Sequence, residues 1–300
     1  MKLITYGAPG SEVPGVLVDD ETILPLVPVF AGFGIPQVDM NAVVGLLPAL
    51  RAHVEEAIAS GTGRISADGV RLGPPVPRPN KVIVVGGNYM DHVIEGSAVT
   101  HGIAPSEPIL VFKPNTNVVG PTDPIVRPRG TSKLDYEGEL CVVIGKTGKH
   151  VSRDDAFDHV AGYMCSQDMG DREVMMGEVQ VSALYLQPSK GKGFDTFCPT
   201  GPWLVTTDEA PAPTDMRLKT IVNGETRQDT GVDKMIVDVP GIIEWLSDVM
   251  TLAPGDLIIS GTPAGCGGSM EPPQFLQPGD VVTVEITGLG AIENPIVDED

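Results

Sequence analysis

The amino-acid sequence predicts a strand-rich α+β fold carrying a small α+β unit at its amino terminus. Short β-branched runs bounded by Gly, Pro or Asp recur throughout the chain after residue 80. Strands and helices do not alternate regularly, which argues against Rossmann and TIM architectures. Finally, Gly73-Pro74-Pro75-Val76-Pro77-Arg78-Pro79 contains four prolines that fix φ and remove donors, so it reads as a stiff connector. The expected organisation is therefore a small domain over residues 1–72, a proline-rich connector over 73–80 and a main domain over 81–300.

In the amino-terminal unit, Lys2 to Tyr6 and Val16 to Val18 have the composition of short strands. Leu50, Val54 and Ile58 lie at i, i+4 and i+8 on a helix expected to open after Pro48 and end at Gly61. His53, on that helix, reads as a surface or packing residue. Beyond the connector, strands are expected at Val82 to Val85, Ile109 to Phe112, Leu140 to Ile144, Leu204 to Thr206, Leu218 to Val222, Leu257 to Ser260 and Val281 to Ile286. Two helices are expected there. One is capped by Ser152 with Asp155 three residues on, and the other buries Ile242, Trp245, Leu246 and Val249.

With 20 basic and 40 acidic residues among 300, the formal charge is −20, which disfavours nucleic acid and anionic membrane as partners. Cys141, Cys165, Cys198 and Cys266 have no CxxC spacing and read as buried free thiols in a reducing compartment. No charged leader followed by an apolar block opens the chain, and no apolar run reaches membrane-spanning length. The expectation is a soluble cytoplasmic protein.

Four constellations carry chemistry. Glu137-Gly138-Glu139 stands at the mouth of the apolar run Leu140 to Ile144, and Gln167-Asp168 follows. Carboxylates two apart on an extended segment share a face, and a third from a later segment completes an all-oxygen cage suited to Mg2+, Mn2+ or Ca2+. The alternative is that Asp135, Glu137 and Glu139 are the solvated face of an edge strand. His92 and Glu95 follow a Gly86-Gly87 turn at i, i+3, the spacing of a carboxylate-oriented general base or of an ordinary surface pair. The stretch Gly96 to Pro108 after them has the Gly and Pro content of a lid. Lys190 and Lys192 place two cations in a flexible stretch, as site residues or as a solvated loop. Gly255 to Gly265 forms a turn, a strand and a small-residue loop whose backbone can approach a ligand, without the pattern of a phosphate loop.

Taken in order, Asn88-Tyr89-x-x-His92-x-x-Glu95, Phe112-Lys113-Pro114, Asp135-Tyr-Glu137-Gly-Glu139-Leu140, Gln167-Asp168-x-x-x-Arg172, Lys192-Gly-Phe-Asp195 and Gly261-Thr262-Pro-Ala-Gly265 resemble the fumarylacetoacetate hydrolase family from about Lys81 to Asn294. The resemblance implies a mixed β-sandwich roll, usually homodimeric, with a short amino-terminal domain as in many bacterial members. It implies Mg2+, or Mn2+ or Ca2+, held by Glu137, Glu139 and Asp168, a catalytic His92–Glu95 dyad and an active-site Lys192. Tyr89, Lys113, Arg172, Gly261 and Thr262 are the positions expected at the substrate. The implied activity is hydrolysis of a C–C bond in a 2,4-diketo acid, an acylpyruvate or fumarylpyruvate-like compound, by water activated at His92. A 2-oxo-alkenoate hydratase or isomerase, an oxaloacetate-type decarboxylase and a non-catalytic ligand-binding protein are the other readings. The chain departs from the family pattern at Gly170, where Thr or Ser is common, and in the stretch Val179 to Leu186, which lacks a short Gln-Trp segment. Met164, Met169, Met175 and Met176 fit a pocket rim or ordinary core equally well.

Overall fold

The computed structural model describes the backbone of residues 1–300 and the side chains of all but residues 98 and 99. At the amino terminus β1 (Lys2–Tyr6), β2 (Val13–Asp19) and β3 (Thr22–Pro25) form an antiparallel meander. Over it lies α1 (Met40–Ser60), whose Met40, Val43, Val44, Leu47 and Val54 pack with Leu3, Val16 and Leu24. The helix was expected to open after Pro48, but it starts two turns earlier. Asp39 accepts Ala42 N–H at 2.8 Å and sets the true amino-terminal cap, while Pro48 sits inside and removes one ladder bond that the apolar packing on both sides outweighs. Its end is as expected, with Gly61 in the left-handed region at φ 70°.

Next come β4 (Val82–Gly86), the short α2 (Met90–Glu95), β5 (Ile109–Lys113), β6 (Gly138–Ile144), β7 (Val160–Gln167), β8 (Cys198–Thr206), β9 (Arg217–Val222) and β10 (Glu225–Gly231). The chain ends with α3 (Val239–Val249), β11 (Leu257–Ile259), β12 (Val281–Ile286) and β13 (Gly290–Asp298). The main path of a twelve-stranded sheet runs Ile65–Ser66, β3, β2, β1, β8, β7, β6, β11, β4, β5. Residues 1–72 thus continue the same sheet as the rest of the chain: β1 pairs with β8, Lys2 opposite Val205 and Leu3 opposite Leu204. A second sheet, ordered β10, β9, β12, β13 and Ile125–Arg127, packs against one face of the first.

Strand β6 explains why the run Leu140 to Ile144 is apolar without alternation. Leu140, Val142 and Ile144 pack on Leu218, Val284, Ile286 and the α3 residues Ile242, Ile243 and Leu246. Cys141 and Val143 point the other way, into the core shared with α1. A strand covered on both faces needs apolar side chains on both.

The strand-rich α+β class and the mixed sheets are as the sequence predicts, and all four cysteines are buried and unpaired. Two helix expectations are corrected. The segment after Ser152 is a 3-10 run, Arg153–His159, in which only Ala156 and His159 are buried, so there is no i, i+3, i+4 stripe to hold an α-helix. In α3, Ile242 and Leu246 are buried as expected, but Val249 ends the helix 57% exposed, beyond the edge of the core. No helix among the described residues is long and apolar enough to cross a membrane.

Candidate active site

The three metal-candidate carboxylates meet because β6 and β7 pair antiparallel. Gly138 lies opposite Gln167, which sets Glu137 beside Asp168, and Asp168 N–H donates to the Glu137 carbonyl at 2.8 Å. One carboxylate oxygen from each of Glu137, Glu139 and Asp168 lies within 4.8 Å of the others, and all three residues are buried. The solvated-edge alternative is therefore excluded for these positions. Asp135 is buried as well, but it serves a different purpose: it accepts Gly267 N–H at 2.8 Å, Gly268 N–H at 2.9 Å and Arg172 Nε at 2.8 Å.

Gly138, between the two glutamates, faces the second sheet. A Cβ there would overlap the Thr220 hydroxyl, so glycine is what lets the sheets approach where the site is built. Gly261 does the equivalent work in the loop after β11. At φ 102° it passes close to Asn88 and donates its N–H to Glu139 Oε2 at 2.5 Å.

Cations surround this cluster. Lys192 Nζ donates to Glu137 Oε2 at 2.6 Å and also to Asp168 Oδ2, and Arg172 donates to Glu137 Oε1 at 2.6 Å. Burial by itself would raise the Glu137 pKa, but Lys192 and Arg172 outweigh it and hold the carboxyl well below the usual range. Glu139 goes the other way, pushed well above its ordinary value by burial and then by the Asp168 charge. Burial would lower the Lys192 pKa, yet Asp168 and Glu137 hold it above normal.

The Gly86-Gly87 turn, with Gly87 at φ 72°, delivers α2 to the edge of this cluster. His92 Nδ1 lies 3.0 Å from Glu95 Oε2, and the other oxygen of Glu95 accepts Gly265 N–H at 2.8 Å. A cavity of about 150 Å³ opens between these elements, lined by His92, Glu137, Glu139, Arg172, Lys192, Gly261 and Thr262 on its polar side and by Val84, Ile109, Val111 and Met175 on its apolar side. A larger cavity of about 620 Å³ lies beside α1, bounded by Leu47, Pro48, Arg51, Lys146 and Thr207, but among the described residues no cluster of potential metal ligands faces it.

The structure thus brings together His92, Glu95, Lys192, Glu137, Glu139, Asp168, Arg172, Gly261 and Thr262. Two positions expected at the substrate lie elsewhere. Lys113 has no exposed side chain, and its three N–H groups go to Asp168 Oδ1, the Met169 carbonyl and the Phe197 carbonyl, so it supports Asp168 from behind. Tyr89 is fully buried with its hydroxyl unpartnered, outside the cavity lining. Thr262 lines the cavity, but its hydroxyl donates to the Gly138 carbonyl and accepts from Gln228. Of the four methionines, Met164 and Met169 are core and Met175 lines the cavity. Sequence reasoning missed Gln228, which reaches from the second sheet to Gly138 N–H, Thr262 and the Pro263 carbonyl, and it missed Cys266, whose Sγ lies 3.8 Å from His92 Nδ1. Neither carries a local signal, because each arrives through pairing distant in sequence.

The donors fit a hard divalent cation. Three buried carboxylate oxygens converge, and around them, among the described residues, Glu95, Asp135, Glu137, Glu139 and Asp168 have Lys113, Lys192 and Arg172 as paired cations. With all five carboxyls ionised two negative charges are left over, which one divalent ion would neutralise, relieving the repulsion that raises the Glu139 pKa.

This fold and site define a class. A family model described as the fumarylacetoacetate (FAA) hydrolase C-terminal domain matches residues 81–297, and the chain belongs to that family. It is 38% identical over 271 residues to a mitochondrial oxaloacetate tautomerase of Xenopus laevis, covering 87% of this chain and 82% of the relative. Among solved structures, it is 30% identical to the maleylpyruvate hydrolase of Sphingobium sp. SYK-6 in complex with manganese(II) and pyruvate, with a TM-score of 0.80 and 100% of each chain covered. A probable 2-hydroxyhepta-2,4-diene-1,7-dioate isomerase from Mycobacterium abscessus is 35% identical with a TM-score of 0.79, again with 100% of each chain covered.

Proposed function

We propose that the chain is an enzyme of small 2-keto acids that moves a proton at the carbon beside the keto group, interconverting keto and enol forms of an oxaloacetate-like acid. The observation that carries this reading is the cavity. Its volume of about 150 Å³ suits a compact acid far below drug size, and it sets one imidazole base opposite the fixed cations Arg172 and Lys192. The tautomerase relative, alike over most of both chains, supports the same reaction.

Glu137, Glu139 and Asp168 would hold a divalent cation, Mg2+ or Mn2+. When bound, such an ion supplies Lewis acidity that polarises the keto oxygen and favours the enolate. The chain's own residues do the rest. The Glu95 carboxylate favours the proton on His92 Nδ1, which leaves Nε2 free to take a proton from substrate carbon and return it. Gly265 N–H keeps Glu95 in place. Arg172, whose Nε goes to Asp135, lines the cavity and offers its remaining N–H groups to a substrate carboxylate.

Hydrolysis of a C–C bond in an acylpyruvate or fumarylpyruvate-like acid is the second reading. The apolar wall of Val84, Ile109, Val111 and Met175 favours it, because an acyl tail needs such a surface. In that case His92 Nε2 takes its proton from water. We also infer a homodimer, supported by the exposed Phe112 on β5, the edge strand of the large sheet.

The test is to supply enol-oxaloacetate and acetylpyruvate separately, with Mg2+ or Mn2+, and to follow enol absorbance and free pyruvate. Accelerated loss of the oxaloacetate enol without pyruvate supports tautomerisation. Pyruvate from acetylpyruvate supports C–C hydrolysis, and no change with either acid overturns both readings.

A further inference from the structure

One group at the site has no part in the proposed reaction. Cys266 follows the small-residue loop at Gly265, is fully buried, and stands with its Sγ 3.8 Å from His92 Nδ1. Potential ligand atoms of His92, Cys266 and Glu137 all lie within 4.8 Å of one another. This second cluster differs from the first in chemistry. It offers one sulfur, one nitrogen and one oxygen, a set that suits a borderline-soft ion such as Zn2+, whereas Glu137, Glu139 and Asp168 offer oxygen alone.

The spacing fits as well. Zn–S and Zn–N bonds of about 2.3 and 2.0–2.1 Å at the tetrahedral angle hold sulfur and nitrogen about 3.6 Å apart, so the observed 3.8 Å calls for only a small adjustment. The excess of carboxylates over cations at the site favours any divalent ion that can use these donors. The cavity is lined by His92 and Glu137, so two of the three donors face open space from which an ion can approach.

We propose that His92, Cys266 and Glu137 form a second, thiophilic metal site, through which Zn2+ or a similar soft ion inhibits the enzyme. The ion takes the Cys266 sulfur as thiolate, releasing the thiol proton to solvent, and takes His92 Nδ1 away from Glu95. The imidazole then loses the partner that orients it. Because Glu137 belongs to both clusters, the soft ion also removes one ligand from the hard-ion site. Both effects come from one side chain that a hard ion ignores. The proposal does not depend on which keto acid is turned over.

The first experiment uses the full chain, freed of metal by chelator, and titrates it with Co2+ while recording the near-ultraviolet thiolate-to-cobalt charge-transfer absorption. The expected result is a band that saturates near one equivalent, is displaced by Zn2+, is absent in Cys266→Ser and Cys266→Ala, and is kept in Cys198→Ser. Near-ultraviolet circular dichroism of the variants reports folding. In the second experiment Zn2+ inhibits Mg2+-supported turnover of the wild type, and excess Mg2+, which competes for the shared Glu137, raises the Zn2+ concentration needed. The inhibitory Zn2+ concentration rises roughly tenfold or more in Cys266→Ser, relative to that variant's own activity. No charge-transfer band in the wild type, or the same band in a folded Cys266→Ser, overturns the site. A Cys266-dependent band in a protein that turns over no keto acid leaves the site standing and rejects only the functional reading above.

Discussion

Lys113 and Asp168 form an ion pair from which solvent is wholly excluded, with Nζ 2.5 Å from Oδ1. The lysine is 55 residues upstream of its partner and arrives at the end of β5. Its remaining donors go to the Met169 and Phe197 carbonyls, so the pair anchors the strand ends that carry the site. Replacing Asp168 by a neutral residue leaves the Lys113 charge buried with only carbonyl partners, and replacing Lys113 leaves Asp168 buried with Lys192 as its remaining cation. Lys113→Met is expected to lower the unfolding free energy by about 3–5 kcal/mol, and a double-mutant cycle with Asp168→Asn should give less than the sum of the single losses. Denaturant unfolding measures both, and additive losses would show that the pair is not coupled.

Glu95 is the charged partner that holds the His92 ring for proton transfer, with the Cys266 thiol a longer contact to the same nitrogen. His92→Gln is expected to lower turnover by about 10²–10⁴-fold with little change in melting temperature. Glu95→Gln keeps the imidazole but removes its anionic partner, so a smaller loss is expected. Steady-state rates on the best keto acid check both, and a His92→Gln enzyme as fast as wild type would remove the imidazole from the mechanism.

The hard-ion site should show itself in stability as well as rate. With Mg2+ or Mn2+ at about 100 times its Kd, binding to the folded chain alone adds about 2.7 kcal/mol. Melting temperature should rise with added ion, fall back with chelator, and respond less in Glu139→Gln, which removes one of three converging charges. An undiminished response in that variant would place the ion elsewhere.

Gly138 separates the two metal-candidate glutamates and abuts Thr220 across the sheets. Gly138→Ala forces the sheets apart at that point and is expected to cost about 1–3 kcal/mol, with weaker ion binding as a consequence. Pairing it with Thr220→Ala, which withdraws the hydroxyl, should recover part of the loss. Chemical denaturation with and without Mn2+ separates the packing effect from the effect on the site.

Much of this protein was legible in its sequence because the relevant forces are local. Period-two spacing placed Glu137 and Glu139 on one face, the apolar run Leu140 to Ile144 announced a strand, and the Gly86-Gly87 turn was legible ahead of the i, i+3 pair His92 and Glu95. Glycine at 61 ended α1 for the same local reason, while the proline at 48 misled, since packing on both sides of it outweighed one lost bond. Tertiary structure alone decided what lies between distant segments. The β6–β7 register brought Asp168 to Glu137, burial converted Lys113 from an expected substrate contact into a support for Asp168, and the β1–β8 pairing joined residues 1–72 to the large sheet. Cys266 beside His92 belongs to the same group. Local periodicity determines which face a side chain occupies, whereas strand pairing and desolvation determine what it meets there, and those depend on contacts that no short stretch of sequence contains.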